Sequence, residues 1–461
     1  MKKIAILGAG ITGLSTAYFL KKREDAPDIE IFESGQIGGQ VQTEIYEDCI
    51  IEKGPETFQM RTPLLKVLCE ELNISDKLKQ AQKEAAKRYI IKEGQLVKLP
   101  AGPLSFLTTS AMSFFQKIKL ILALKKKFSL WPGMSFFDGT RNIFGQEFAE
   151  YLSSSVARGV YGTEAEDLEF SSAFPDVYEA IQHTPSLIKA VKKIIAEKKQ
   201  YWQNELGENA FEGFEKGMYS FEGGLITFVE ALRNSIKEKG VKIENTKIQR
   251  VINKRNEYYV HTKQNKYGPF DKVISTVSPG ELSQIIKEMN KPASVRLNEM
   301  KYSPMTVVVQ AWDKNNFSYP GFGFLAPRKE KMPMLGTLFS SNIFSHKAPK
   351  HLFLTKTMIS GDSDLFNDEE VSTMQYEGLK KIFKIKKPPL WYKIYRYKQG
   401  MPKYFLGYHE WKEDVLSLLS PFPEFQLSGW HFSGMGLSDA LANSYKIAKN
   451  FDQNNTKNSE E

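Results

Sequence analysis

The stretch KKIAILGAGITGLSTAYFL, residues 2–20, limits what this chain can fold into more than any other. Inside it Gly8-Ala9-Gly10-Ile11-Thr12-Gly13 separates a short apolar run at 4–7 from a second at 14–22. That order is strand, turn, helix. Two lysines before apolar residues also suit a secretory leader, but the run passes into KKREDAPD, which has no small-residue cleavage site. The turn accounts for more residues. Gly8 permits a tight bend, Gly10 lets backbone approach a pyrophosphate, and Gly13 lets the helix pack closely on the strand. The free N–H groups and dipole of the helix then favour an anion. A second strand, IEIFESG, carries Glu33 and Ser34 at its end. Glu33 stands twenty residues beyond Gly13, where a carboxylate accepts hydrogen bonds from a ribose diol. The expectation is a Rossmann-like α/β unit that binds a dinucleotide.

At 461 residues and 41% hydrophobic content the chain has room for two or three domains. Lys and Arg exceed Asp and Glu by 63 to 54, a modest excess, and no recognition motif accompanies it, so nucleic acid is not expected as a partner. Cys49 and Cys69 form neither a disulfide framework nor a metal pattern, which fits a reducing, cytoplasmic setting. The histidines lack zinc-site spacing, and no metal is expected. After the N-terminus no uncharged apolar run is long enough to span a bilayer.

A simple NAD dehydrogenase would continue with another strand-helix unit. Here GGQVQT (38–43) and IIEKGPETF (50–58) follow instead. Paired glycines just after the ribose acid, with Gly39 and Gln40 as contact candidates, resemble the flavoprotein signature of amine oxidases and their relatives. That resemblance implies FAD. It departs in one respect, since SGQIGGQ lacks the usual Arg or Lys between acid and glycines. The C-terminal LSGWHFSGMGLSDALANSYKIA (427–448) places glycine turns, with Gly429 in the first, directly before a helix. The resemblance implies that this helix points its N-terminus at the flavin, with Met435, Gly436 and Leu437 as N–H donors. Asn443-Ser444 stands where the family often has Ser-Gly. Mid-chain, FEGGLITFVEALRNSIKEKGVKIENTKIQRV (221–251) reads as glycine turn, amphipathic helix and strand pair. Ile248 matches the position that holds adenine by main chain. KVISTVSP (272–279) reads as a further strand of the same sheet.

GFGFLA (321–326) has the spacing of a second dinucleotide turn, but polar NNFSYP precedes it and PRKEK follows. The longer GFGFLAPRKE instead resembles a signature of the FAD-dependent porphyrinogen oxidases of haem biosynthesis. ARGVYGTEAEDLEFSSAFP (157–175) and YKQGMPKYFLGYHE (397–410) are similar to two more of that family's landmarks, with Lys403 and Tyr408 as departures. The resemblance runs from Lys3 to about Asn450. It implies that Gly54, Pro55, Glu56 and Thr57 line the flavin ring, that Tyr397 lies near it, and that main chain around Gly159 and Gly162 guides pyrrole N–H groups. It also implies six-electron oxidation of protoporphyrinogen IX or coproporphyrinogen III, with dioxygen as acceptor and hydrogen peroxide as product. No side chain is expected as catalytic acid or base. A porphyrinogen is a broad apolar ring fringed with propionates, so its site needs a wide apolar slot and a cation at the edge. Arg88, in AAKRYIIKEGQLVKLPAGP (85–103), matches the family's propionate anchor, and a guanidinium fits a carboxylate bidentately.

The implied architecture is a discontinuous Rossmann-like FAD-binding domain (1–85, 215–285, 395–461), an α+β substrate-binding domain (86–104, 286–394) and a helical, membrane-facing insert (105–214). Residues 103–130 contain five lysines, no acids and large apolar residues at helical spacing, and 187–202 repeats the pattern. Both suit an anionic membrane surface. The alternative places those apolar faces on the protein's own core. A homodimer is compatible with the sequence, and the tail DQNNTKNSEE is expected to be disordered. Two other functions remain open: another flavoenzyme of the fold, such as a polyamine oxidase or carotenoid desaturase, or a non-catalytic FAD-binding membrane scaffold.

Overall fold

The computed structural model describes residues 1–100, 103–184, 186–361 and 365–451; the tail DQNNTKNSEE lies outside them. The N-terminal expectation is met closely. Strand β1 is Lys3–Leu7, helix α1 is Ile11–Leu20 and strand β2 is Asp28–Glu33. All ten residues of α1 are buried. A helix apolar on every side needs cover on every side; here the sheet lies on one flank and the C-terminal helix Leu437–Lys449 on the other.

β1 and β2 belong to a five-stranded parallel sheet completed by Lys242–Asn245, Lys272–Ser275 and Phe425–Leu427. Numbered along the chain, these strands stand in the order 3-2-1-4-5, so the direction of winding reverses beside β1. Ligands of such sheets bind beyond the carboxyl ends of the strands at that reversal. Register aligns those ends, with Leu7 opposite both Phe32 and Ser275, and Ser275 opposite Leu427. Strands from three distant parts of the sequence therefore present one rim.

A seven-stranded sheet gathers Arg88–Lys92 and Gln95–Lys98 with five strands between Tyr302 and Pro402. Its edge strand, Trp391–Pro402, pairs with Tyr302–Asp313 as far as Tyr302 opposite Pro402. The boundary expected at 395 falls inside this ladder, which would leave backbone groups unpaired if it ended there.

GFGFLA supplies the inner strand Gly323–Leu325, parallel to Arg88–Lys92 and antiparallel to Gly336–Leu338. A Cβ at Gly323 would lie 2.1 Å from the Thr337 carbonyl oxygen and one at Gly321 2.6 Å from that of Lys87. These glycines serve sheet packing, not a phosphate.

The insert is helical, as expected. The segment expected as one amphipathic helix is two, Pro103–Thr108 and Phe114–Ala123, and Ser113 caps the second by accepting from Gln116 N–H at 3.2 Å. The second lysine-rich block lies within Leu187–Leu206. Among the described residues no helix is long and apolar enough to cross a membrane.

Candidate active site

The first glycine turn sits at the reversal point. Gly8 has φ +99°, and a Cβ on Gly13 would lie 2.0 Å from the Gly8 carbonyl oxygen, so neither position tolerates a side chain. Gly10 is the contrary case, since a Cβ there would meet nothing within 4 Å. Its outer side is open. No side chain caps α1, which leaves its first N–H groups without a side-chain acceptor. Glu33 accepts from Ala9 N–H at 2.8 Å and from Gly35 N–H at 2.7 Å, so its carboxylate is held against the turn. Ser34 follows it at the sheet rim. Ile248, 8% exposed, opens the strand Ile248–Lys254 two residues after Thr246, whose N–H donates to the Glu33 carbonyl at 2.8 Å.

The second glycine pair lies directly on the first turn. Gly38 N–H donates to the Ala9 carbonyl at 2.8 Å, and a Cβ on Gly39 would come 3.3 Å from Gly10 Cα. Gly54 in turn packs on Gln40, where a Cβ would stand 2.0 Å from the Gln40 carbonyl oxygen. Three separate segments thus stack backbone on backbone. Gly429 reaches the same rim, 3.4 Å from the Thr276 carbonyl oxygen by the same measure, and Thr276 donates to the Leu7 carbonyl at 2.8 Å.

The C-terminal helix begins at Leu437 after the Met435-Gly436 turn. Gly436 N–H donates to Asp439 Oδ2 at 3.2 Å, so one of the three expected flavin donors is engaged within the protein. The Asn443-Ser444 departure has a packing reason. Ser444, fully buried, donates to the Thr12 carbonyl and accepts from Thr16, both at 3.1 Å, while Asn443 donates to Ser428 Oγ at 2.8 Å. These bonds dock the helix on α1 and the strand end.

Beneath the KGPETF segment lies a group that sequence reasoning missed in part. Glu52, Glu56, Lys347 and Lys356 are all buried; Lys347 donates to Glu56 Oε1 at 2.7 Å and Lys356 to the Gly54 carbonyl at 2.6 Å. Burial pushes the Glu56 carboxyl up, but Lys347 and Lys356 outweigh it and hold it below the usual carboxylate range. Burial raises Glu52 and lowers Lys356. A lysine inside the apolar strand LFLTKTMIS was the available signal for Lys356. Pro55 and Thr57 flank Glu56. Tyr397 donates to the Lys53 carbonyl at 3.1 Å, so it does meet this segment.

His431 was also missed. It is buried, neither ring nitrogen has a hydrogen-bond partner among the described residues, and burial lowers its pKa to about 3. It is a neutral imidazole. The MPKYFLGYHE segment is held in place by hydrogen bonds to two other segments. Glu169 accepts from the N–H groups of Gly407 at 3.1 Å and His409 at 2.9 Å, and Tyr408 donates to the His431 carbonyl.

Arg88 opens on a cleft of about 720 Å³ walled by Met60, Ile194, Trp202, Phe214 and Met218. Its guanidinium lies over the Phe322 ring at 5.2 Å. Gly159 and Gly162 do not line this cleft. Gly159 packs on Leu325, and Gly162, at φ +61°, on Met305 and Met401. The expected trio is therefore split.

A family model described as flavin containing amine oxidoreductase matches residues 11–445. The chain belongs to the flavin-containing amine oxidoreductases. Its cofactor is FAD. Protoporphyrinogen oxidase 2 of Arabidopsis thaliana is 26% identical across 97% of this chain and 93% of its own length. Coproporphyrinogen III oxidase of Staphylococcus aureus is likewise 26% identical, over 95% of this chain and 97% of its own. In shape the chain is similar to the crystal structure of a proposed protoporphyrinogen oxidase from Exiguobacterium sp. 255-15, with TM-score 0.79, 19% identity and coverage of 98% and 99%.

This amine oxidoreductase fits the dinucleotide by its own geometry. The open face of Gly10, the uncapped start of α1 and the Glu33 carboxylate at the same rim offer approach, anion and diol recognition together.

Proposed function

We propose that this flavoprotein oxidises a porphyrinogen to the corresponding porphyrin with dioxygen as acceptor. One observation carries the reading: the apolar cleft holding Arg88 adjoins the cofactor rim. Gln59 walls the cleft, and its carbonyl accepts from Ser438 Oγ, at the start of the C-terminal helix, at 2.5 Å. Bound FAD would supply two-electron hydride acceptance, and three such rounds, each with loss of one N–H proton and reduction of one dioxygen to hydrogen peroxide, would balance the six-electron conversion. The protein's own part is to hold geometry. Gly8, Ala9, Gly10, Ile11, Thr12 and Gly13 would cradle the pyrophosphate, and Glu33, with Ser34 beside it, the ribose. Gly39, Gln40, Gly54, Pro55, Glu56, Thr57 and Tyr397 would back the ring, with Gly429, Met435 and Leu437 at its other edge and Ile248 at the adenine. Arg88 would grip a carboxylate and the aromatic walls exclude water. Cations without acids in the cleft disfavour a polyamine substrate. The test is to supply each reduced porphyrinogen to the FAD-loaded protein and follow porphyrin fluorescence with peroxide release. Inertness toward both overturns the reading.

A membrane surface is the second part of the proposal. On the helix Phe114–Ala123, Phe114 and Phe115 are 71% and 77% exposed, and Ile121 and Leu122 are exposed beside them. The neighbouring helix adds exposed Ile188 and Val191, and Ile188 N–H donates to the Leu124 carbonyl at 3.4 Å. Those apolar faces are not on the protein's own core, and lysines surround them. Anionic lipid satisfies both features. Sedimentation with phosphatidylglycerol vesicles, compared with phosphatidylcholine alone, checks it.

A further inference from the structure

Among the described residues, five cations and no carboxylate line the Arg88 cleft: Arg61, Arg88, Lys198, Lys199 and Lys216. Lys198 is paired with Asp176. The other four have no carboxylate within 4.0 Å among the described residues; Arg61 holds only the Gln59 side-chain oxygen, at 2.9 and 2.6 Å, and Arg88 lies on Phe322 and Met218. They come from four separate segments. Arg61 follows the strand Phe58–Met60, Arg88 begins Arg88–Lys92, Lys199 sits on the helix Leu187–Leu206 and Lys216 precedes Gly217–Phe221. A run of like charges along one helix is a solvated face. Four lining one cleft from distant parts of the fold instead give it a positive field that an anion would neutralise.

We infer that the cleft selects a tetrapyrrole bearing four carboxylates, as in coproporphyrinogen III, over one bearing two. The inference rests on reading the site as a porphyrinogen oxidase and adds the rule by which it chooses. Arg88 alone suffices for any propionate. Lys199 and Lys216 are the residues that count the extra carboxylates. A dicarboxylate ring leaves two of the four cations without a counter-charge and sets its apolar edge groups beside them, a mismatch that costs affinity.

The test uses FAD-loaded protein and its Lys199→Gln, Lys216→Gln and doubly substituted forms. Binding of coproporphyrin III and protoporphyrin IX is titrated by quenching of tryptophan fluorescence, and kcat/KM is measured with both porphyrinogens. The expected result is a preference for the tetracarboxylate of about tenfold or more, which each substitution lowers by about fivefold while dicarboxylate binding stays nearly constant. Equal affinity for both porphyrins, or equal losses for both in the variants, overturns the inference while leaving the oxidase reading intact. Turnover of neither porphyrinogen overturns the oxidase reading, and lysine-dependent binding of coproporphyrin III then still supports the four-carboxylate rule. Both lysines are exposed, so the variants keep the fold, which retained flavin confirms.

Discussion

Lys347 donates to Glu56 at 2.7 Å with its side chain 0% and that of Glu56 6% exposed. This pair ties the segment behind the proposed flavin site to the loop after the helix Ser340–Ile343, which packs against the seven-stranded sheet. Lys356 adds a second tie from within that sheet, at 3.3 Å to the other Glu56 oxygen. Two acids and two lysines balance in charge, so removing one partner leaves a buried charge uncompensated.

Lys347→Met should therefore destabilise the protein by about 3–5 kcal/mol, because it strands Glu56 without its closest cation. Urea unfolding measures this. Lys347→Met combined with Glu56→Leu should recover much of the loss, and failure to recover any would show that the pair does not act as a unit.

Gly13→Ala puts a methyl group 2.0 Å from the Gly8 carbonyl oxygen. The turn must open, and the purified variant should come out nearly colourless. Gly10→Ala, where a Cβ meets no protein atom, should fold normally yet bind flavin weakly. Flavin absorbance against circular dichroism separates the two outcomes.

Under the proposed function, Arg88→Ala should raise KM for the porphyrinogen by about tenfold with a smaller change in kcat, because a guanidinium there would hold the ring's fringe and not its reacting carbon. Arg88→Lys should recover only part of the loss. A fall in kcat at constant KM would contradict the anchoring role.

Acid stability should depend on His431. Its pKa of about 3 lies below the ordinary 6.5, so the unfolded chain binds a proton between those values and the native state does not. This residue leaves stability unchanged above pH 6.5 and subtracts from it as pH falls, by up to about 1.4 kcal/mol per pH unit. The difference in unfolding free energy between about pH 7.5 and about pH 5 should shrink in His431→Phe.

Phe114→Glu with Phe115→Glu should abolish binding to anionic vesicles and leave porphyrinogen turnover in detergent intact. Unchanged sedimentation would remove the membrane proposal.

The dinucleotide unit was legible because its constraints are local. A tight turn, a close helix-strand approach and an acid at the end of the next strand each leave one residue type at one spacing, and Gly8, Gly13 and Glu33 carry that pattern in the open. Arg88 was singled out through motif likeness alone, and the structure places it on a cleft. Its surroundings were not legible, because Arg61, Lys199 and Lys216 lie in three other segments and each alone reads as a solvated surface charge. Lys347 and Glu56 stand 291 residues apart, so no periodicity links them. The split of Gly159 and Gly162 from the Arg88 cleft is a packing result, set by which sheet residues their bare faces meet.

The amino-acid order alone thus determined the glycine turn and the helical character of the insert, since each depends on neighbours within a few dozen residues, and the flavoprotein class was legible only through resemblance of its motifs to a known family. Only the tertiary structure decided which charges are buried in pairs and which converge unpaired on one cleft. Electrostatic energy depends on distance and on exclusion of water, and both arise only when remote segments are brought together.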